Sequence, residues 1–201
     1  MKVRHITIER EYGSGGTEIA ELVAQKCGIQ CYGKEILEKA ASKLHISVEE
    51  AQQYEEKVTT SFMYSMFVMS QAQTGNTSGL PMESRLFVEE QNIIAELARR
   101  GKAIYVGHCA SEALKEQSGV IRVFIRANEA FKTDRAIKEY GIDPKDAAAV
   151  CRRFNKKRAN YYAFNTQKKW DDSDNYDIVL DSSQLGIDGC VKVLCALFEE
   201  L

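Results

Sequence analysis

The sequence predicts an α/β fold, a parallel sheet layered between helices. Two patterns say so. Short β-branched runs alternate with helical stretches along the chain, and a glycine cluster stands where the first run meets the first helix. A third observation concerns size: 201 residues, 44% of them hydrophobic, are enough to bury one substantial core. The expected architecture is a three-layer sandwich forming a single domain over 1–201.

The elements follow in order. Residues 3–8 alternate and are β-branched, which predicts a strand. After the glycines, Ile19, Ala20, Leu22, Val23 and Ala24 share one helical face that ends near Gly28. Residues 34–100 carry no strand signal and read as a helical insertion over the sheet. Within it, Ser47-Val48-Glu49-Glu50 opens a charged helix as a capping box. Phe62, Met63, Met66, Phe67 and Met69 make an apolar patch suited to core packing or a homodimer face. Glycines at 75 and 79 break the chain before a helix over 83–100. Further strands are expected at 103–106, 120–125 and 176–180, with helices at 129–140, 145–162 and 187–201.

Lys and Arg number 27 against 29 Asp and Glu, a net charge of −2. That balance excludes a protein built to coat nucleic acid or an anionic membrane. No run reaches the roughly 20 apolar residues of a membrane span, and the N-terminus turns polar too early for a signal peptide. The six cysteines, Cys27, Cys31, Cys109, Cys151, Cys190 and Cys195, form no CxxC pair, which argues against zinc and for reduced, buried thiols. A cytoplasmic location is expected.

The strongest chemical signal is Gly13-Ser14-Gly15-Gly16-Thr17 between the first strand and the first helix. Glycines let successive N–H groups face one concavity, and the helix N-terminus adds positive potential, so the turn suits a phosphate. The hydroxyls of Ser14 and Thr17 are candidates to reach that phosphate or a Mg²⁺ ion. It is not a Walker A sequence: Arg10 stands at the first glycine and Gly16 at the lysine of G-x-x-x-x-G-K-[ST]. Arg10 is the candidate replacement cation. Glu9, ending the first strand, is a candidate for holding the metal or its water.

Arg152, Arg153, Lys156, Lys157 and Arg158 crowd into seven positions of one helical stretch, and Arg135 adds a cation on the preceding helix. Such density suits an oligophosphate, and the neighbouring Tyr161, Tyr162 and Trp170 are placed to cover a base, whereas Phe164 and Tyr176 read as packing. His108 follows the strand at 103–106, where a loop at a carboxyl end lines the ligand crevice of an open α/β sheet.

Four collinear blocks resemble the cytidylate kinase-like family of P-loop proteins. They are residues 6–16, Lys34-Glu35-Ile36-Leu37, residues 156–162, and the run from Trp170 through Asn175-Tyr176-Asp177 to Asp181-Ser182-Ser183. The resemblance implies phosphoryl transfer from ATP, with Mg²⁺, to a nucleoside monophosphate or another small phosphorylated acceptor. It places donor phosphates at 13–17, the acceptor in the insertion at 34–100 near Lys34 and His108, and a lid over 145–170 whose Arg153, Lys157 and Arg158 meet the transferred group. The chain departs from the pattern at Gly16, at Thr17, at Gly107-His108 in place of Gly-Arg, and at Tyr32-Gly33 in place of Tyr-Asp. Two readings stay open: a kinase, or a nucleotide-binding protein that kept the fold and lost the chemistry.

Overall fold

The computed structural model describes residues 2–56 and 79–198. Five strands, β1 (His5–Arg10), β2 (Gln30–Tyr32), β3 (Ala103–Val106), β4 (Val120–Arg126) and β5 (Ile178–Asp181), pair in parallel in the order β2-β3-β1-β4-β5. Strand β1 is central, with His5 opposite Ala103 on one side and Val120 on the other.

Side chains alternate across the sheet. Ile6, Ile8, Ile104, Val106, Val123 and Ile125 point into the layer of α1 (Gly16–Cys27) and α8 (Ser182–Ala196). Ala103 and Tyr105 point into the opposite layer, against α2 (Lys34–Leu44), α4 (Met82–Ala98) and the short α5 (Ala110–Ala113). There α3 (Val48–Glu56) packs on α2 and α4, and α7 (Ala147–Thr166) runs beside α6 (Glu129–Lys138). Phe124, Tyr162, Trp170 and Tyr176 seal α7 to the sheet, so Tyr176 packs as expected, whereas Trp170, expected to cover a base, is buried there too; Phe164 is buried as well.

Local rules account for the ends. Gly28 adopts φ 63° and closes α1 with its N–H on Ala24 and Gln25 carbonyls. The capping box opens α3: Ser47 Oγ accepts from Glu50 N at 3.1 Å, and Glu50 Oε2 accepts from Ser47 N at 2.9 Å. Several expectations change, among them the last strand, which is Ile178–Asp181 rather than 176–180. Strand β1 is His5–Arg10 rather than 3–8, which carries it to the glycine turn. Strand β2 was not anticipated; it is an edge of three residues with no alternation to read. Helix α8 begins at Ser182 rather than 187, capped by Asp181 and kinked at Gly186, where φ is 68°. The apolar patch Phe62–Met69 lies outside the described residues. Among those described, no helix is long and apolar enough to cross a membrane.

From β1 the chain leaves toward β2, and from β3 it leaves toward β4. The carboxyl ends of these neighbours therefore open a crevice, the place where such sheets bind ligands.

Candidate functional site

The glycine turn sits at that crevice and is closely walled. Gly13 and Gly15 hold φ of 82° and 76°, a region other residues rarely adopt. A Cβ on Gly13 would stand 2.6 Å from the Lys132 carbonyl oxygen, and one on Gly15 would collide with Ile187. A Cβ on Gly16 would stand 2.5 Å from Arg10 Cβ and 2.9 Å from its Cγ. The two departures from the Walker pattern are thus one exchange: the Arg10 stem occupies the space beside position 16. Helix α1 starts at Gly16 with no side-chain cap among the described residues, which leaves its first amides for an external acceptor. The Ser14 hydroxyl, by contrast, is buried and donates to the Glu11 carbonyl at 2.8 Å. Of the two hydroxyls proposed for phosphate, only Thr17 faces the crevice.

Beside the turn lies a cavity of about 490 Å³ lined by residues from nearly every element of the crevice. Arg10, Arg158, Lys157 and Lys34 bring positive charge to it, and Thr17, Glu9, Gly107 and His108 complete the rim near the strand ends. Arg10 and Arg158 meet there: Arg158 Nη1 donates to the Arg10 carbonyl at 2.8 Å, and Arg10 Nε is buried without a hydrogen-bond partner among the described residues. Burial pulls the Arg10 guanidinium below its ordinary value, against Glu9 and Glu55. Burial and then Arg10 itself push Arg158 down to about 9. Two desolvated cations facing one cavity are what an anion relieves.

Helix α7 is fastened over the turn. Asn155 Oδ1 accepts from Tyr12 N at 2.6 Å, and Tyr12 stacks on Phe154 with centroids 4.5 Å apart. Arg158 lies 5.8 Å from the Tyr12 ring centre. Glu11 anchors the turn from below, accepting from Lys132 Nζ and Ala127 N, each at 2.9 Å.

The far end of the cavity is acidic. His108, with φ 54°, sets its Nδ1 3.0 Å from Glu90 Oε1 and 3.1 Å from Glu55 Oε1. Tyr161 donates its hydroxyl to Glu90 Oε2. Glu90 is fully buried, and desolvation lifts its carboxyl to about 7. Burial opposes charge on His108, but the carboxylates of Glu90 and Glu55 outweigh it and raise the imidazole to about 10. The four side chains come from α3, α4, the end of β3 and α7.

Of the residues expected from sequence, Glu9, Arg10, Thr17, Lys34, His108, Lys157 and Arg158 line this cavity. Gly13, Ser14, Gly15 and Gly16 form the turn beside it. Arg135 is not in its lining; it pairs with Glu18 and covers Gly15 from outside. Arg153 is exposed, its guanidinium over Phe154 at 5.5 Å. Glu55 and Glu90 were missed. Glu9 Oε2 accepts from the Trp170 indole at 3.1 Å. Its remaining oxygen and the Thr17 hydroxyl are hard donors on one cavity, a set that fits Mg²⁺, which takes few protein ligands beside phosphate oxygens.

Comparison with known proteins bears on the family and the fold. The sequence model of the cytidylate kinase-like family matches residues 5–184. No curated protein matches the sequence. Among solved structures, an uncharacterized protein from Eubacterium ventriosum superposes with a TM-score of 0.72 at 24% identity, over 98% of this chain and 99% of that one. TT1252 from Thermus thermophilus gives 0.52 at 13% identity over 100% of both chains. Shikimate kinase from Bacteroides thetaiotaomicron gives 0.51 at 12% identity over 98% of both. The fold is that of the P-loop kinases.

Proposed function

Starting from a chain that belongs to the cytidylate kinase-like family, we propose that it transfers the terminal phosphoryl group of ATP to a small phosphorylated acceptor, with CMP the first candidate. The observation that carries this reading is the pair of desolvated guanidiniums, Arg10 and Arg158, converging on the cavity beside an uncapped helix start. An acceptor phosphate oxygen attacks the terminal phosphorus, and the bond to the leaving ADP oxygen breaks. Little covalent chemistry is asked of the protein; it positions and neutralises.

In this reading the α1 amides and Thr17 hold donor phosphates, and Arg10 does the work of the Walker lysine from the other side of Gly16. Arg158 and Lys157 face the transferred group, while Lys34 and His108 lie on the acceptor side. Glu9 and Thr17 would hold Mg²⁺, which supplies charge neutralisation when bound with ATP. The test is ADP formation with ATP, Mg²⁺ and a panel of CMP, dCMP, UMP and AMP. Arg158→Ala is expected to lose most turnover, and absence of turnover with every acceptor overturns the reading.

A second reading has its own observation. Arg10 packs into the space at Gly16, so no lysine can reach the transferred group from that position. On that account the chain binds nucleotide without transferring from it. Thermal stabilisation by ATP with no ADP released over hours selects this reading over the first.

A further inference from the structure

We propose that Glu55, Glu90 and His108 form a binding site for one divalent transition-metal ion of the zinc class, open on its fourth side to the cavity. Their donor atoms converge from three separate elements and lie within 4.8 Å of one another. A tetrahedral zinc with bonds of 2.0–2.1 Å sets its ligand atoms about 3.3 Å apart. Here His108 Nδ1 stands 3.0 Å from one carboxylate and 3.1 Å from the other. The two distances to His108 need only a few tenths of an ångström of opening, and the two carboxylate oxygens lie within 4.8 Å of each other.

The count of protons makes the same point. His108 Nδ1 stands within hydrogen-bond distance of one oxygen from each carboxylate, and a single N–H there serves neither at full strength. A divalent ion takes its place and satisfies nitrogen and both oxygens together. Glu90 is fully buried, and the one cation beside it, His108, is shared with Glu55, so two carboxylates hold a single positive charge between them. Its second oxygen is already held by the Tyr161 hydroxyl, and the His108 carbonyl accepts from Gln91 Nε2 at 2.8 Å. Such outer contacts fix ligands before the ion arrives. An imidazole in the set selects zinc-like ions over Mg²⁺ or Ca²⁺, which prefer oxygen throughout. The cysteines gave no sign of such a site because it uses none of them. Glu55 and His108 line the cavity, so the open coordination position faces bound ligand or water.

The proposal is independent of phosphoryl transfer and is tested without turnover. Metal-stripped full-length protein is titrated calorimetrically with ZnCl₂, and with Co²⁺ for its visible absorption. One ion per chain and a tetrahedral cobalt spectrum are expected. Affinity should fall roughly 10-fold or more in His108→Ala and in Glu55→Gln, and by roughly 10–100-fold in Tyr161→Phe, as outer-shell losses do. Glu55→Gln alters a part-exposed side chain, so it keeps the test decisive if changes at Glu90 or His108 disturb folding. Circular dichroism verifies that each variant is folded. No saturable binding to the wild type overturns the proposal. So does binding that His108→Ala and Glu55→Gln leave unchanged, or a preference of this site for Mg²⁺.

Discussion

If Arg10 and Gly16 are one exchange, their substitutions must not be additive. Gly16→Ala places a Cβ 2.5 Å from Arg10 Cβ and 2.9 Å from Cγ, below any real contact distance. The backbone at Gly16 is not left-handed, so the penalty is steric rather than conformational. Overpacking of this kind costs about 1–3 kcal/mol. For a chain of this size each kcal/mol lowers Tm by about 2–4 °C, so Gly16→Ala should lower it by roughly 2–12 °C. In an Arg10→Gly background the colliding atoms are gone. The same Gly16→Ala should then be nearly silent, a coupling of at least about 1 kcal/mol. Urea denaturation of the four proteins in the cycle measures it. Arg10→Gly with Gly16→Lys also restores the full G-x-x-x-x-G-K-[ST] pattern. That pair should be more stable than Gly16→Lys alone. Additive effects would show that the Arg10 stem does not occupy the position-16 space, and the account of the missing lysine would fail.

Other outcomes follow from the same contacts. Arg158→Met removes a buried like charge beside Arg10, so in phosphate-free buffer its Tm should not fall by more than a few degrees, while the Tm rise given by pyrophosphate is lost; a retained rise would place the anion elsewhere. Burial, followed by the charge of Arg4, holds His5 below its ordinary 6.5. The unfolded chain then binds a proton the folded chain refuses, so this contribution is complete above about pH 6.5 and is lost as pH falls, by at most about 1.4 kcal/mol per pH unit. Urea melts at acid and neutral pH should show a smaller drop in His5→Leu, and an equal drop would remove His5 as the cause. Trp170 is the sole tryptophan and donates to Glu9; ATP with Mg²⁺ should shift its emission, and Glu9→Gln should abolish the shift.

The core strands were legible because β3 is a fully buried apolar run, while β1 and β4 carry β-branched residues at alternate positions. Gln30–Tyr32 was not, because a short edge strand leaves no pattern. The cations were legible for a related reason: Arg153, Lys157 and Arg158 are neighbours in sequence, and Arg10 stands beside the glycines. Glu55 and Glu90 are 35 positions apart among 29 acidic residues, and only the packing of α3 on α4 brings them to His108. One local signal existed. Leu86, Glu90, Ile93, Ile94 and Leu97 form the buried stripe of α4, and a glutamate within such a stripe asks for a partner.

The fastening of α7 has a kinetic consequence. With Tyr12 stacked on Phe154, Asn155 gripping the Tyr12 amide and Arg158 latched to the end of β1, the α7 wall of the cavity is tied to the glycine turn by contacts that any outward movement of α7 on nucleotide entry must break. Association should then be gated. In stopped-flow mixing, the observed rate would level off with rising ATP at the opening rate of the latch, and Asn155→Ala would raise that plateau.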